Sequence, residues 1–233
     1  MDDILTKNID GLIIEPSKSE IYCRHMHLYE SLDRLRIPYV FIQGTYPQMK
    51  GKPSIIMDDV QGSYLVTKYL IELGHKKIIG IFKIDDNQGA ARHKGYIKAM
   101  AEANIPYDPD AVITFHTEDR DTKPSAMVAD FIARKTKLDA IVCYNDQVAM
   151  DVIKVLNAKG IRVPEDVSVT GYDNSLMAQN GPIRLTTVSH PKEYLGEMAA
   201  ELLLEKIEGI EDADSRVPRV VAPELILGES CKK

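Results

Sequence analysis

The chain has 233 residues, of which 44% are hydrophobic and 27% charged, and its formal net charge is −6. This composition excludes a largely disordered chain, because there is ample aliphatic material for a core. No apolar run approaches the roughly 20 residues that cross a bilayer, and the amino terminus lacks the pattern of a signal peptide. The acidic balance is unfavourable for binding a phosphate backbone, so we expect no direct nucleic-acid binding by this chain.

Three cysteines, Cys23, Cys143 and Cys231, are scattered along the chain. An odd number without close pairs argues against a disulfide framework. Reduced thiols and the absence of a signal peptide together predict a cytoplasmic protein without a membrane partner.

Short, β-branched apolar runs alternate along the chain with longer amphipathic segments. Continuous runs of this kind are typical of strands buried on both faces of a parallel sheet. In chain order the predicted strands are Gly11–Ile14, Tyr39–Ile42, Ser54–Met57, Ile78–Phe82, Ala111–Phe115, Ala140–Cys143 and Val167–Thr170.

Three of the intervening segments, Val60–Leu73, Val148–Leu156 and Tyr194–Ile207, carry their apolar residues on one helical face. A glycine follows each of them, where a left-handed residue often ends a helix. These glycines are Gly74, Gly160 and Gly209. Strands alternating with helices predict an α/β fold with parallel sheets.

Polar side chains follow nearly every predicted strand. Ligands bind at the carboxyl ends of strands in such folds, and this mixture of carboxylates, amides and hydroxyls suits a neutral ligand with many hydroxyl groups. The alternative is that these Asp and Asn residues are helix N-caps and turn formers. The segments concerned are Glu15–Ser17, Gln43–Gly44, Asp58–Asp59, Lys83–Gln88, His116–Asp119, Tyr144–Asp146 and Gly171–Asn174.

The chain contains no sequence motif for nucleotide binding, zinc proteolysis or serine hydrolysis. Cys23, His25 and His27 have a metal-like spacing, but within the helix that we predict there only Cys23 and His27 share a face. Two ligands do not make a zinc site, so we expect neither a metal nor a cofactor.

The doublets Asp58–Asp59 and Asp85–Asp86 could supply an acid–base pair. Neighbouring residues at a strand end point in opposite directions, so each doublet offers one inward carboxylate at most. An enzyme is therefore disfavoured.

Five motifs, in order, resemble those of LacI/GalR-type transcriptional regulators, and the resemblance covers essentially the whole chain. The motifs are Leu73–Gly80, Arg92–Tyr96, Asp139–Ala149, Val163–Asn174 and Leu185–Val188. Three further segments resemble the arabinose-responsive members of that family. They are Gly80–Gly89, Asp173–Ser175 and His190–Gly196.

The resemblance implies two Rossmann-like lobes of the periplasmic-binding-protein type. Residues 1–58 and 191–220 would form the amino-terminal lobe, and residues 59–190 and 221–233 the carboxyl-terminal lobe. Thr6–Ile14 resembles the end of the second helix and the third strand, so we expect the amino-terminal lobe to lack its first two strands. Nothing resembles a helix-turn-helix headpiece, so DNA would be bound only through a headpiece absent from this chain, carried by a homodimer.

The resemblance also implies an effector site in the cleft between the lobes. Arg92 matches the family's effector-binding arginine, Asn145 its cleft amide and Asp173 its cleft carboxylate, while His190 stands where relatives have a polar cleft residue. Arg92 and Asp173 are expected at the surface of the empty cleft, so their removal should cost little stability. Weaker candidates are Gln43, Met57, Lys83, Gln88 and Glu118.

Two of these assignments have alternatives. Arg92 could be an ordinary surface arginine on a helix, and His190 could be a hinge residue packed beside Pro191. The sequence therefore predicts the sugar-sensing region of a transcriptional repressor that responds to L-arabinose or a similar pentose by lobe closure. A transport-type sugar-binding protein is disfavoured by the missing signal peptide, and a carbohydrate-acting enzyme by the missing catalytic set.

Overall fold

The computed structural model describes residues 7–134, 137–210 and 218–232. The chain divides into two compact units. Unit 1 consists of Met1–Met57 and Pro191–Val221, and unit 2 consists of Asp58–His190 and Ala222–Lys233.

Strands and helices alternate along most of the chain. The strands are β1 (Leu12–Ile14), β2 (Tyr39–Ile42), β3 (Ser54–Met57), β4 (Ile78–Lys83), β5 (Val112–Phe115), β6 (Ala140–Cys143), β7 (Ser168–Thr170), β8 (Thr187–Val188), β9 (Arg219–Val221) and β10 (Leu225–Ile226). The α-helices are α1 (Met26–Leu35), α2 (Asp59–Glu72), α3 (Asn87–Glu102), α4 (Lys123–Ala133), α5 (Asp146–Ala158), α6 (Leu176–Asn180) and α7 (Lys192–Ile207).

All seven predicted strands form as β1 to β7, and no end moves by more than one residue. The three predicted helices form as α2, α5 and α7. Gly74, Gly160 and Gly209 have φ values of 97°, 74° and 72°, which confirms the left-handed residue expected after each helix.

Unit 2 is built on a parallel sheet in the order β5-β4-β6-β7. Side chains of β4 alternate between its two faces, so Ile78 and Phe82 join the core formed with α2 and α3. Ile79 and Ile81 join the core formed with α4 and α5. The sheet is therefore covered on both faces, as continuous apolar strands require.

Unit 1 is built on a second parallel sheet, ordered β1-β2-β3-β9 among the residues that the structure describes. Val40 and Ile55 pack against Leu195 of α7. Phe41 packs instead in an aromatic cluster with Tyr29 of α1.

The expectation that Cys23, His25 and His27 lie in one helix is wrong, because α1 begins only at Met26. In the described ranges no group of three His, Cys, Asp or Glu residues is placed to hold a metal ion. None of the helices in those ranges is long and apolar enough to cross a membrane.

Candidate functional site

A polar cluster lies in unit 2, where strands β6 and β7 end. Because neighbouring parallel strands end at the same edge of a sheet, the segments that follow them meet there. Tyr144 and Asn145 follow β6, and Tyr172 and Asp173 follow β7. Arg92, from the middle of α3, reaches this edge from one face of the sheet.

Arg92 is buried, with 3% of its surface exposed. Its Nε donates to Asp59 Oδ1 at 2.8 Å, and its Nη1 donates to the carbonyl oxygen of Tyr144 at 2.7 Å. Its Nη2 lies 3.7 Å from Asp173 Oδ1. Arg92 is therefore neither a surface arginine nor a residue at an exposed cleft wall, and both expectations are wrong.

Aromatic rings enclose the guanidinium group of Arg92. Its Cζ lies 3.6 Å from the ring centroid of Tyr172 and 4.9 Å from that of Tyr144. Rings at this distance attract a cation through their quadrupoles and, being apolar, exclude water from it. The arginine is thus fixed in one orientation before any ligand arrives.

Asp59 and Arg92 form a buried ion pair. Burial opposes the charge on Arg92, but the carboxylates of Asp59 and Asp173 outweigh burial and raise the pKa of Arg92 further. Burial raises the pKa of Asp59, and the charge of Arg92 opposes that rise. The hydrogen bond from Arg92 Nε to Asp59 offsets part of the cost of burying the two groups.

Asp173 adopts a backbone conformation that is rare for residues other than glycine. Its φ is 105°, and Asn174 follows with a φ of 45°. Its amide donates to the carbonyl oxygen of Val188 at 2.9 Å, so the surrounding strands hold this conformation. Asp and Asn tolerate such conformations better than other residues, so the backbone here fits the turn-forming alternative for Asp173.

Asp173 also connects Arg92 to His190. The Nδ1 of His190 lies 3.4 Å from Asp173 Oδ1, the same oxygen that faces Arg92. The structure therefore brings Arg92, Asp173 and His190 together in unit 2. His190 is also the last residue before the chain passes to unit 1, which is the place that the hinge alternative gives it.

The aspartate doublet at the start of α2 has two separate structural roles. Asp58 Oδ1 accepts a hydrogen bond from the amide of Gln61 at 2.9 Å and caps the helix, while Asp59 binds Arg92. Gly62, one turn later, makes room for the ring of Tyr172, because a Cβ at this position would clash with that ring. The local sequence of α2 thus places both the carboxylate and the space that the arginine needs.

The second doublet, Asp85–Asp86, is engaged in the same way. Asp86 caps α3 by accepting from the amide of Gly89 at 2.7 Å, and it also accepts from the hydroxyl of Tyr144 at 2.8 Å. Lys83 Nζ lies 2.9 Å from Asp86 Oδ2 and 3.7 Å from Asp85 Oδ1. Burial would raise the pKa of Asp85, but hydrogen bonds from Thr117 and the charge of Lys83 lower it.

A pocket of about 400 Å³ lies beside this second doublet, within the size range of small-ligand sites. It brings together two predicted residues, Lys83 and Asn145. Asn145 Oδ1 accepts from the amide of Val148 at 3.0 Å and caps α5, so the capping alternative holds for its oxygen. The other residues that line the pocket are Phe115, Arg120, Asp121, Tyr144, Gln147, Val148 and Asp151.

The remaining predicted residues lie elsewhere. Gln88 is half-buried in the first turn of α3, and Glu118 is exposed in the loop after β5; neither lines the pocket. In unit 1, Gln43 follows β2 with a φ of 72°. Met57 ends β3 with 3% of its surface exposed and packs in the core of that unit.

Sequence reasoning missed the residues that hold Arg92 in place. Asp59 was expected as a strand-end polar residue or as half of an acid–base doublet, not as the partner of Arg92. Tyr144 and Tyr172 lie in strand-end segments that were named, but neither was among the predicted site residues. One signal could have found the two tyrosines, since β6 and β7 both run into a Tyr that is followed directly by Asn or Asp. Two parallel strands with matching ends place matching side chains at one edge of the sheet.

Comparison with known proteins shows the family of this chain. A profile of the periplasmic binding protein-like domain matches residues 67–231. The chain belongs to this family. The two-lobed α/β architecture expected from the motifs is therefore confirmed.

Two curated relatives match this chain over 99–100% of its length. The arabinose metabolism transcriptional repressor of Halalkalibacterium halodurans is 40% identical over 235 residues, which cover 99% of this chain and 62% of the repressor. The arabinose metabolism transcriptional repressor of Geobacillus stearothermophilus is 37% identical. The match covers 100% of this chain and 64% of that repressor. The chain thus spans less than two thirds of the length of these relatives.

Solved structures of regulators have the same fold as this family member. The transcriptional regulator CelR, in complex with cellobiose, superimposes with a TM-score of 0.85 at 29% identity, over 98% of this chain and 68% of CelR. A LacI-family regulator from Enterococcus faecium with bound ribose gives a TM-score of 0.83 at 24% identity, over 99% and 82% of the two chains. The resemblance to LacI/GalR-type regulators is confirmed by these comparisons.

Proposed function

We propose that this chain is the effector-binding region of a sugar-responsive transcriptional repressor, and that its effector is L-arabinose or a closely related pentose. The cluster of Arg92, Asp173 and His190 carries the proposal. It holds a fixed guanidinium group beside a carboxylate that stays 22% exposed. The two relatives described as arabinose metabolism repressors support the choice of sugar.

A sugar hydroxyl suits this cluster because it donates one hydrogen bond and accepts others at the same time. Asp173 offers an acceptor, and Lys83 and Asn145 line the neighbouring pocket with donors. Arg92 already uses its Nε and Nη1 within the protein, so its role is to hold and orient Asp173 while Nη2 faces the ligand side. Charged partners of neutral hydroxyls contribute about 1.5–3 kcal/mol each.

The proposed mechanism is a population shift between open and closed arrangements of the two lobes. A sugar that contacts both lobes binds the closed form better, and the equilibrium moves by that difference in affinity. Gln43 is the proposed contributor from unit 1, whereas Met57 packs in the core of that unit. We further propose that the protein is a cytoplasmic homodimer and binds DNA through a headpiece that is not in this chain.

We do not propose an enzyme. In the described part of unit 2, both aspartate doublets are already engaged, Asp58 and Asp86 as helix caps and Asp59 with Arg92. These contacts support a structural role for both doublets. A transport role is disfavoured because the relatives of known description are transcriptional repressors.

A thermal-shift panel with a turnover check on each sugar tests the proposal. At 100 times its Kd a ligand adds about 2.7 kcal/mol of stability. For a chain of this size that corresponds to roughly 5–11 °C in Tm. L-Arabinose is expected to give this shift without being consumed. A shift with a hexose or a purine base and none with L-arabinose at tens of millimolar would refute the pentose assignment.

Lobe closure is tested separately by small-angle X-ray scattering of the 233-residue chain with and without L-arabinose. A smaller radius of gyration with the sugar is expected. An unchanged scattering curve at saturating L-arabinose would refute closure while leaving the sugar assignment intact.

A further inference from the structure

We propose that unit 2 carries a second ligand site, at the opposite edge of its sheet, for a small amphipathic monocarboxylate. The site is a cavity of about 340 Å³ at the amino ends of β4, β5 and β6. None of its lining residues belongs to the cluster around Arg92 or to the pocket beside Asn145. The second site can therefore be tested independently of the sugar site.

The floor of the cavity is apolar. Ile79, Tyr96 and Met100 line it and are buried, with exposed fractions of 2%, 2% and 4%. Ile105 and Phe131 complete the apolar lining and are half-buried, so part of their surface faces the cavity. A hydrocarbon group placed against the accessible surface of Ile105 and Phe131 would release water from apolar surface, which is favourable.

The rim of the cavity is positively charged. Lys76, Lys77 and Lys137 line it and are exposed, and none of the three forms an ion pair within the described ranges. Asp108 is the one carboxylate among the described lining residues, and its Oδ1 already accepts from the amide of Asp110 at 3.0 Å. The excess of positive charge complements an anionic head group.

Hydrogen bonds hold the backbone of this rim and floor in place. The amides of Lys76 and Lys77 both donate to Asp139 Oδ2, at 3.2 and 3.0 Å, and the amide of Asp139 donates to the carbonyl oxygen of Lys77 at 2.9 Å. The hydroxyl of Tyr96 donates to the carbonyl oxygen of Ile78 at 2.9 Å. A ligand therefore needs to order only lysine side chains, which lowers the entropic cost of binding.

The lining selects the chemical class of the ligand. A sugar needs acceptors and amides around it, whereas this lining offers three ammonium donors over hydrocarbon. A single anionic head with an apolar body satisfies both parts at once. We therefore assign the site to a medium-chain or aromatic carboxylate, for which octanoate is the probe.

Chemical-shift perturbation in two-dimensional NMR of the 233-residue chain tests the assignment. Octanoate is expected to shift the amides of Ile78, Ile79 and Tyr96 in a saturable manner. Octan-1-ol, which lacks the charge, is expected to bind several-fold more weakly, and acetate, which lacks the apolar body, at least tenfold more weakly. Shifts scattered over the whole protein, or no shifts with 10 mM octanoate, would overturn the proposal.

Charge and apolar variants separate the two parts of the site. The triple change Lys76→Gln, Lys77→Gln and Lys137→Gln is expected to weaken octanoate about tenfold and to leave octan-1-ol unchanged. Its control makes the same change of net charge at three other exposed lysines, and there octanoate affinity is expected to stay constant. Equal weakening in the test and control variants would overturn the proposal. The control lysines are Lys68, Lys98 and Lys159.

Discussion

Arg92→Met is expected to destabilise the unliganded protein strongly. The substitution removes a charge from a position that is 3% exposed and leaves Asp59, 5% exposed, without its partner at 2.8 Å. Breaking a buried ion pair by removing one partner costs about 3–5 kcal/mol, because an uncompensated charge stays buried. At about 2–4 °C per kcal/mol for a chain of this size, Tm should fall by roughly 6–20 °C.

The loss of stability in Arg92→Met should grow with pH. Burial raises the pKa of Asp59, and in this variant Arg92 no longer opposes the rise. A group whose pKa is higher in the folded than in the unfolded state adds stability below its unfolded pKa, and that stability is lost as pH rises through the folded pKa. The deficit relative to the native chain should therefore be smaller near pH 4.5 than at pH 7.5.

Differential scanning calorimetry of the native chain and four variants at these two pH values is the assay. Arg92→Met combined with Asp59→Asn should lose about 1–3 kcal/mol less than the sum of the two single changes, because the residues are in contact. The matched control is Arg162→Met, which breaks a pair of similar length on the surface, 2.7 Å from Asp166. A loss in Arg92→Met no larger than in Arg162→Met, at both pH values, would refute the buried-pair argument.

Two further predictions follow from burial. At pH 8, Ellman's reagent should react rapidly with one thiol, that of Cys23. Burial raises the pKa of Cys231 to about 11 and also raises the pKa of Cys143, so these two thiols should react slowly. Rapid reaction of all three thiols in the native protein would contradict this prediction. Gly62→Ala should cost about 1–3 kcal/mol in urea unfolding, because its Cβ would displace the ring of Tyr172 that packs on the arginine; an unchanged midpoint would contradict this.

The sheet strands were predictable because their signal is local. Continuous apolar runs such as Ile78–Phe82 and Ala140–Cys143 are buried on both faces, and the structure places their alternate residues in two separate cores. Helix ends were predictable for the same reason. A glycine soon after an amphipathic segment often adopts the left-handed conformation that ends a helix, and Gly74 and Gly160 do so. The start of α1 was not, because His25 precedes the helix without a side-chain cap.

The environment of Arg92 could not be predicted, because every partner is distant in sequence. Asp59 lies 33 residues before it, and the Tyr144 carbonyl lies 52 residues after it. Only the packing of α3 against both α2 and the sheet brings them together. Arg92, at 3% exposed, is thus one of the most buried charges in unit 2, and the expectation of an exposed arginine is wrong.

The proposed sugar site is tested most directly by measuring whether Asp173 contributes to sugar binding. Isothermal titration with L-arabinose is expected to show saturable binding to the native chain and at least tenfold weaker binding to Asp173→Asn, since 1.4 kcal/mol corresponds to one decade in Kd. Asn also tolerates the positive φ at this position, so the variant should retain its fold. The exposed Asp110→Asn serves as a control and should bind like the native chain. Equal affinity in all three proteins, or no binding of L-arabinose beside clear binding of a hexose, would contradict the account.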